Sequence, residues 1–213
     1  LHTVTGFLYR SCEWIMRFAF LNLLWIVFTL LGFIIGGFFP STIAMFTIIR
    51  KWIIGHSDLP VLHTFWTTYK KEWLKSNLLG VLLLAASSII YLEYTVINNS
   101  THSFLQLSKY PFFLLVILFT FLLLYSIPVY VHYNITILQV FKNSVLIMLI
   151  NPLNNIVMIL GLVLVYYIGQ ILPALPILFG GSVSAFIIMW TCIQSFKHIE
   201  RKKDALATIK KEE

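Results

Sequence analysis

Charge is scarce in this chain, and negative charge is scarcer still. Of 213 residues, 8 are Asp or Glu and 15 are Lys or Arg, so charged side chains amount to 11%. A water-soluble domain carries about a quarter. The shortage excludes an ordinary soluble surface and leaves few carboxylates for acid–base or metal chemistry. Cysteine is nearly missing too. Cys12 and Cys192 stand far apart with no C-x-x-C or Cys/His spacing, which argues against a disulfide framework or a zinc site and for free, buried thiols. The phosphate-loop, nucleophile-elbow and H-E-x-x-H patterns are absent. His56, Asp58 and His63 fit no metal-ligand spacing. No enzyme, cofactor or metal is expected. No polar segment is long enough to fold separately, so residues 1–196 form one integral membrane domain and 197–213 a charged tail.

What is present is apolar length. The composition is 59% hydrophobic with a mean hydropathy of +0.89, and a helix needs about 20 apolar residues to cross a bilayer. Runs at 14–35, 77–97, 111–133, 154–172 and 177–196 meet that length, predicting an all-α, polytopic membrane helix bundle. The first run is too long for a signal-peptide core and leads into Gly-Gly-Phe-Phe-Pro, not a small-residue cleavage site, so it is expected to stay as a span. Gly36-Gly37 predicts a turn, with Pro40 in the first turn of the next helix. That helix, 38–54, is a marginal span with Arg50, Lys51 and Trp52 as an interfacial anchor. Counting it gives six membrane segments. The alternative is an interfacial or re-entrant helix, which leaves five.

Most of the charge in the first half lies between residues 38 and 77. After a turn at Gly55–Pro60, with Ser57 or Asp58 as cap, Leu62, Phe65, Trp66, Tyr69 and Trp73 fall within about 100° of one another on a helix. Lys70, Lys71 and Lys75 occupy the rest of the circumference. An aromatic face backed by lysines suits a helix lying in the membrane interface, or one whose aromatics pack on neighbouring helices. Thr136, Gln139, Lys142 and Asn143 share a face of a second amphipathic helix over 135–150. The net charge of +7 is read as an orientation signal and not as affinity for nucleic acid. With six segments and both ends in the cytoplasm, every Lys and Arg except Lys109 lies inside. With five, Arg10 and Arg17 join Lys109 outside. Both arrangements put the lysine-bearing helix and the C-terminus in the cytoplasm.

Polar residues within spans are the places to look for function. Asn22 is expected to find a partner on another helix, Glu93 is the only carboxylate within a span, and Gln170 lies near the end of another. A transporter would need such groups along one path, yet these are dispersed. A faint internal echo pairs Pro40 and Asn77 with Pro128 and Asn154, as in transport folds built from repeats.

One series of residues is distinctive: Cys-Glu-Trp-Ile-Met-Arg (12–17), Asn-Leu-Leu-Trp (22–25), Phe-Pro-Ser-Thr-Ile-Ala (39–44), Arg-Lys-Trp (50–52), Phe-Trp-Thr-Thr-Tyr-Lys-Lys-Glu (65–72) and Lys-Ser-Asn-Leu-Leu-Gly (75–80). In this it resembles the YesL family of small bacterial integral membrane proteins, a family of unknown function. The specific part covers about residues 6–80. The resemblance implies a multi-pass plasma-membrane protein of a Gram-positive bacterium, encoded near sugar ABC importers and polysaccharide-degrading enzymes. It therefore implies an accessory role in carbohydrate uptake, with importer subunits and the lipid bilayer as partners. It carries no catalytic residues over. The E-A-A…G docking loop of a principal ABC permease does not occur. The alternative is a small solute or ion transporter in its own right.

Overall fold

The structure is a computed structural model describing residues 2–99, 106–133 and 135–212, with side chains described from 9 to 201 within those ranges. Seven α-helices follow one another among the described residues: α1 (His2–Leu31), α2 (Ile35–Ile53), α3 (Val61–Asn99), α4 (Lys109–His132), α5 (Ile137–Ile150), α6 (Pro152–Ile171) and α7 (Gly181–Glu212). A π-helical turn, Pro176–Gly180, precedes α7. Five helices are long and apolar enough to cross a membrane: α1, α3, α4, α6 and the run from Pro176 into α7. The all-α membrane bundle is thus the fold. Part of the polar loop expected at 98–110 lies outside the described residues, as do the tail side chains beyond Arg201.

The sixth segment, 38–54, takes a different place from that of a lipid-facing span. It is α2, and it packs against α1, α3, α4 and α7. Ser41, Thr42, Ile43, Ala44, Met45, Phe46, Ile48 and Ile49 are all buried. Protein rather than lipid surrounds this helix, so its modest apolarity is sufficient. It runs antiparallel to α1, because Trp14 meets Trp52 while Trp25 donates to Thr42 Oγ1 at 3.0 Å. It runs antiparallel to α3, because a short loop joins them and the far end of α2 meets Asn77.

The α1–α2 turn falls earlier than Gly36-Gly37 suggests. It is made by Gly32, Phe33 and Ile34, the last two at φ 54° and 63°. The Ile35 N–H donates to the Phe33 carbonyl at 2.7 Å, closing a γ-turn over Ile34. Gly37 is used instead for contact: a Cβ there would lie 2.7 Å from the Phe28 carbonyl oxygen, so the two helices need a bare backbone at that point. The turn is therefore left to residues that dislike it.

Pro40 lies inside α2 and lacks the N–H that would bond the Gly36 carbonyl. Asn77 of α3 supplies the donor, its Nδ2 reaching Gly36 O at 3.0 Å. Among the described residues the second half has no such pairing. Asn154 donates to Ser195 Oγ at 2.7 Å, so the Pro–Asn echo is not a shared structural device.

The separate amphipathic helix expected before residue 77 and the span after it are one continuous α3 of 39 residues, about 58 Å at 1.5 Å per residue. Its outward face changes character along its length. Lys70, Lys71 and Lys75 are exposed in the first half. Leu78, Val81, Leu82, Leu84, Ile89 and Leu92 are exposed in the second. Lipid therefore meets the half beyond Asn77.

Candidate functional site

The aromatic face of α3 divides in two. Phe65 and Tyr69 are buried against Phe28 of α1, ring centroids 5.0 and 5.3 Å away. The Tyr69 hydroxyl donates to the Phe28 carbonyl at 3.4 Å. Leu62, Trp66, Trp73 and Leu74 stay exposed. Trp66 stacks on Tyr69 and carries the Lys70 Nζ 4.0 Å above its ring, a cation–π contact that holds the ammonium against the helix. Trp66, Lys70 and Trp73 form one stripe, with Lys71 and Lys75 further round. Among the described residues, none of the three lysines forms an ion pair.

Trp52 departs from its expected role. It is 5% exposed, edge-on to Trp14 and Phe18, and so is a core residue rather than an interfacial anchor. Arg50 also turns inward. Its Nε donates to His132 Nδ1 at 3.2 Å and its Nη1 to the Val131 carbonyl at 3.4 Å. His132 in turn packs on Phe196, ring centroids 4.5 Å apart. The C-terminal ends of α2 and α4 thus meet α7. Two residues back on α4, the Tyr130 hydroxyl donates to Glu72 at 2.6 Å, tying the lysine-bearing half of α3 to the same junction. Of this junction, Arg50 stands out in the sequence as a basic residue beside an apolar run and Glu72 only as part of the 65–72 motif; Tyr130 and His132 carry no periodic or motif signal.

The three intramembrane polar residues do not converge. Asn22 is 1% exposed and fully engaged: its Nδ2 donates to the Ile177 carbonyl at 2.8 Å and its Oδ1 accepts from the Ser182 N–H at 3.0 Å. It braces the π-helical turn, whose irregular backbone leaves groups in need of partners. Glu93 and Gln170 are exposed on the outer surfaces of α3 and α6. Asn22 is buried between α1 and α7, whereas Glu93 and Gln170 face outward on separate helices.

A second polar junction lies where α4, α5, α6 and α7 meet. The Tyr125 hydroxyl donates to Asn155 Oδ1 at 2.7 Å, and Asn155 Nδ2 donates to the Met148 carbonyl at 2.9 Å. Buried Asn151 donates to the Ile147 carbonyl, leaving its Oδ1 2.8 Å from His198 Nδ1. Of the Asn-Pro-Leu-Asn-Asn run, the sequence points only to Asn154, through the internal echo; Asn151 and Asn155 carry no motif signal.

The chain is similar along nearly its whole length to proteins of Bacillus subtilis (strain 168). It is 35% identical to "Uncharacterized protein YesV" over 199 residues, 93% of this chain and 95% of that protein. It is 30% identical to "Uncharacterized protein YesL" over 204 residues, 96% of each. The chain belongs to the YesL-like family. A third member, "Uncharacterized protein YteU", is 37% identical over 184 residues, 86% of this chain and 82% of that one. The pattern described as "Protein of unknown function, DUF624" matches residues 18–94. That stretch contains α2, the Asn77–Gly36 bond and the exposed stripe of α3. No solved structure matches this family member.

Proposed function

We propose that this YesL-like protein is a non-enzymatic accessory component of the plasma membrane, docking a partner on the outward face of α3 between Trp66 and Lys75. The observation that carries this reading is the division of that helix. Phe65 and Tyr69 secure it to the bundle, while Trp66, Trp73 and Leu74 remain exposed beside three lysines that have no ion-pair partner among the described residues. Aromatic anchors ringed by cations are the composition of an interaction patch for an acidic partner. The excess of basic residues at this face and in the C-terminal tail supports a cytoplasmic position for both. A cytoplasm-facing patch in a family expected beside sugar importers makes an importer subunit, or its regulator, the partner of choice. Nothing in the arrangement of Asn22, Glu93 and Gln170 favours the alternative of a transporter in its own right.

Affinity purification from native membranes through a C-terminal tag, followed by mass spectrometry, tests the reading. Importer subunits should co-purify with the unaltered protein and be lost with K70A/K71A/W73A, which leaves the buried Phe65 and Tyr69 in place. Retention of the same subunits by the triple variant removes the assignment. So does a solitary protein that moves a sugar or an ion in liposomes.

A further inference from the structure

A cleft of about 350 Å³ lies between the first turn of α6 and the last apolar turns of α7. It falls in the size range of small-ligand sites, and its chemistry is one-sided. Asn154, Gln194, Lys197, His198 and Arg201 line it, and no carboxylate among the described residues does. Neither Lys197 nor Arg201 forms an ion pair among those residues. Two cations of the same sign in one cleft repel each other, and an anion between them relieves that repulsion. His198 is held in place by buried Asn151, whose Nδ2 is committed to the Ile147 carbonyl. Because Asn151 faces His198, no side chain caps the start of α6, so the first-turn N–H groups add positive potential on the same wall. The cleft lies where the candidate spans of α6 and α7 meet their polar ends, at Pro152 and Arg201. Such polar ends of apolar helices are where lipid headgroups are met.

We propose that this cleft binds a phosphate group, held by Lys197 and Arg201 with Gln194, Asn154 and His198 as hydrogen-bonding neighbours. The phosphate belongs to an anionic lipid headgroup or to a soluble phosphate ester, and the chemistry of the cleft serves both.

Two arms separate the sources, both using the full chain. In the first, the protein is placed in nanodiscs of phosphatidylcholine and phosphatidylglycerol, and retained phosphatidylglycerol is counted by native mass spectrometry. In the second, inorganic phosphate and glucose 6-phosphate are titrated calorimetrically in neutral detergent. Binding in the first arm assigns a headgroup site, and binding in the second a soluble phosphate site. In either case K197Q/R201Q should weaken it roughly tenfold or more, K197R/R201K should restore it, and K70Q/K71Q, on a different helix, should leave it unchanged. Absence of binding in both arms overturns the proposal. So does binding that falls equally in K70Q/K71Q, since that would be bulk attraction to a basic protein.

Discussion

Asn77 does work that no propensity scale would assign to it. Pro40 deprives the Gly36 carbonyl of its helical partner, and the Asn77 amide replaces that donor. Removing it in N77A should cost about 1–2 kcal/mol. The P40A change restores the missing backbone N–H, so N77A should cost less in a P40A background. Thermal unfolding of all four proteins in detergent reads this coupling, and strict additivity would show that Asn77 does not stand in for the donor missing at Pro40. Glu93, exposed and on the outer surface of α3, behaves oppositely: E93Q should leave the unfolding temperature within experimental error. A clear drop would mean that its carboxylate has a partner. The need of Asn22 for a partner was legible from its place in an apolar run, because an amide in lipid must be satisfied. Which partner it takes was not, since Ile177 and Ser182 are more than 150 residues away.

At the scale of elements, α3 shows how one helix serves two surroundings. Phe65 is fully buried, so F65A should destabilise by about 3–5 kcal/mol. By contrast K70A/K71A/W73A should unfold within about 1 kcal/mol of the parent. Equal losses would mean that the exposed stripe belongs to the core. The turn before α2 carries strain of another kind. Ile34 is β-branched and held at φ 63°, a conformation costing about 1–3 kcal/mol that glycine adopts freely. Allowing for the entropy glycine loses on folding, I34G should stabilise the protein by about 1 kcal/mol, seen as a higher unfolding temperature. Sequence patterning suggested Gly36-Gly37 for this turn because glycine favours turns. Glycine also allows close approach of helices, and here that second use prevails.

For the whole molecule, the two native cysteines are natural probes. Cys192 is fully buried and Cys12 exposed, so a maleimide should modify Cys12 in the folded protein and Cys192 only after denaturation. With both replaced by Ser, a cysteine at position 109 should react with an impermeant reagent on intact cells, and one at 71 only after lysis. Labelling of both from the same side would contradict a single crossing of α3 between them.

By itself the sequence determined the solvent: a shortage of charge and repeated apolar runs of about 20 residues leave no alternative to a helical bundle in lipid. It also determined which residues bear the family resemblance, since that rests on identity alone. Tertiary structure decided what those residues face. Helical periodicity reports that Phe65, Trp66, Tyr69 and Trp73 share a side, but not which of them meets α1 and which meets solvent. In a membrane protein, hydropathy cannot separate lipid-facing from protein-facing surface, because both are apolar. Hence hydropathy left 38–54 between a marginal span and an interfacial helix, whereas the tertiary structure sets α2 among other helices at the centre of the bundle. The cleft at Lys197 and Arg201 likewise required α6 and α7 to be set side by side before its charge could be seen as a site.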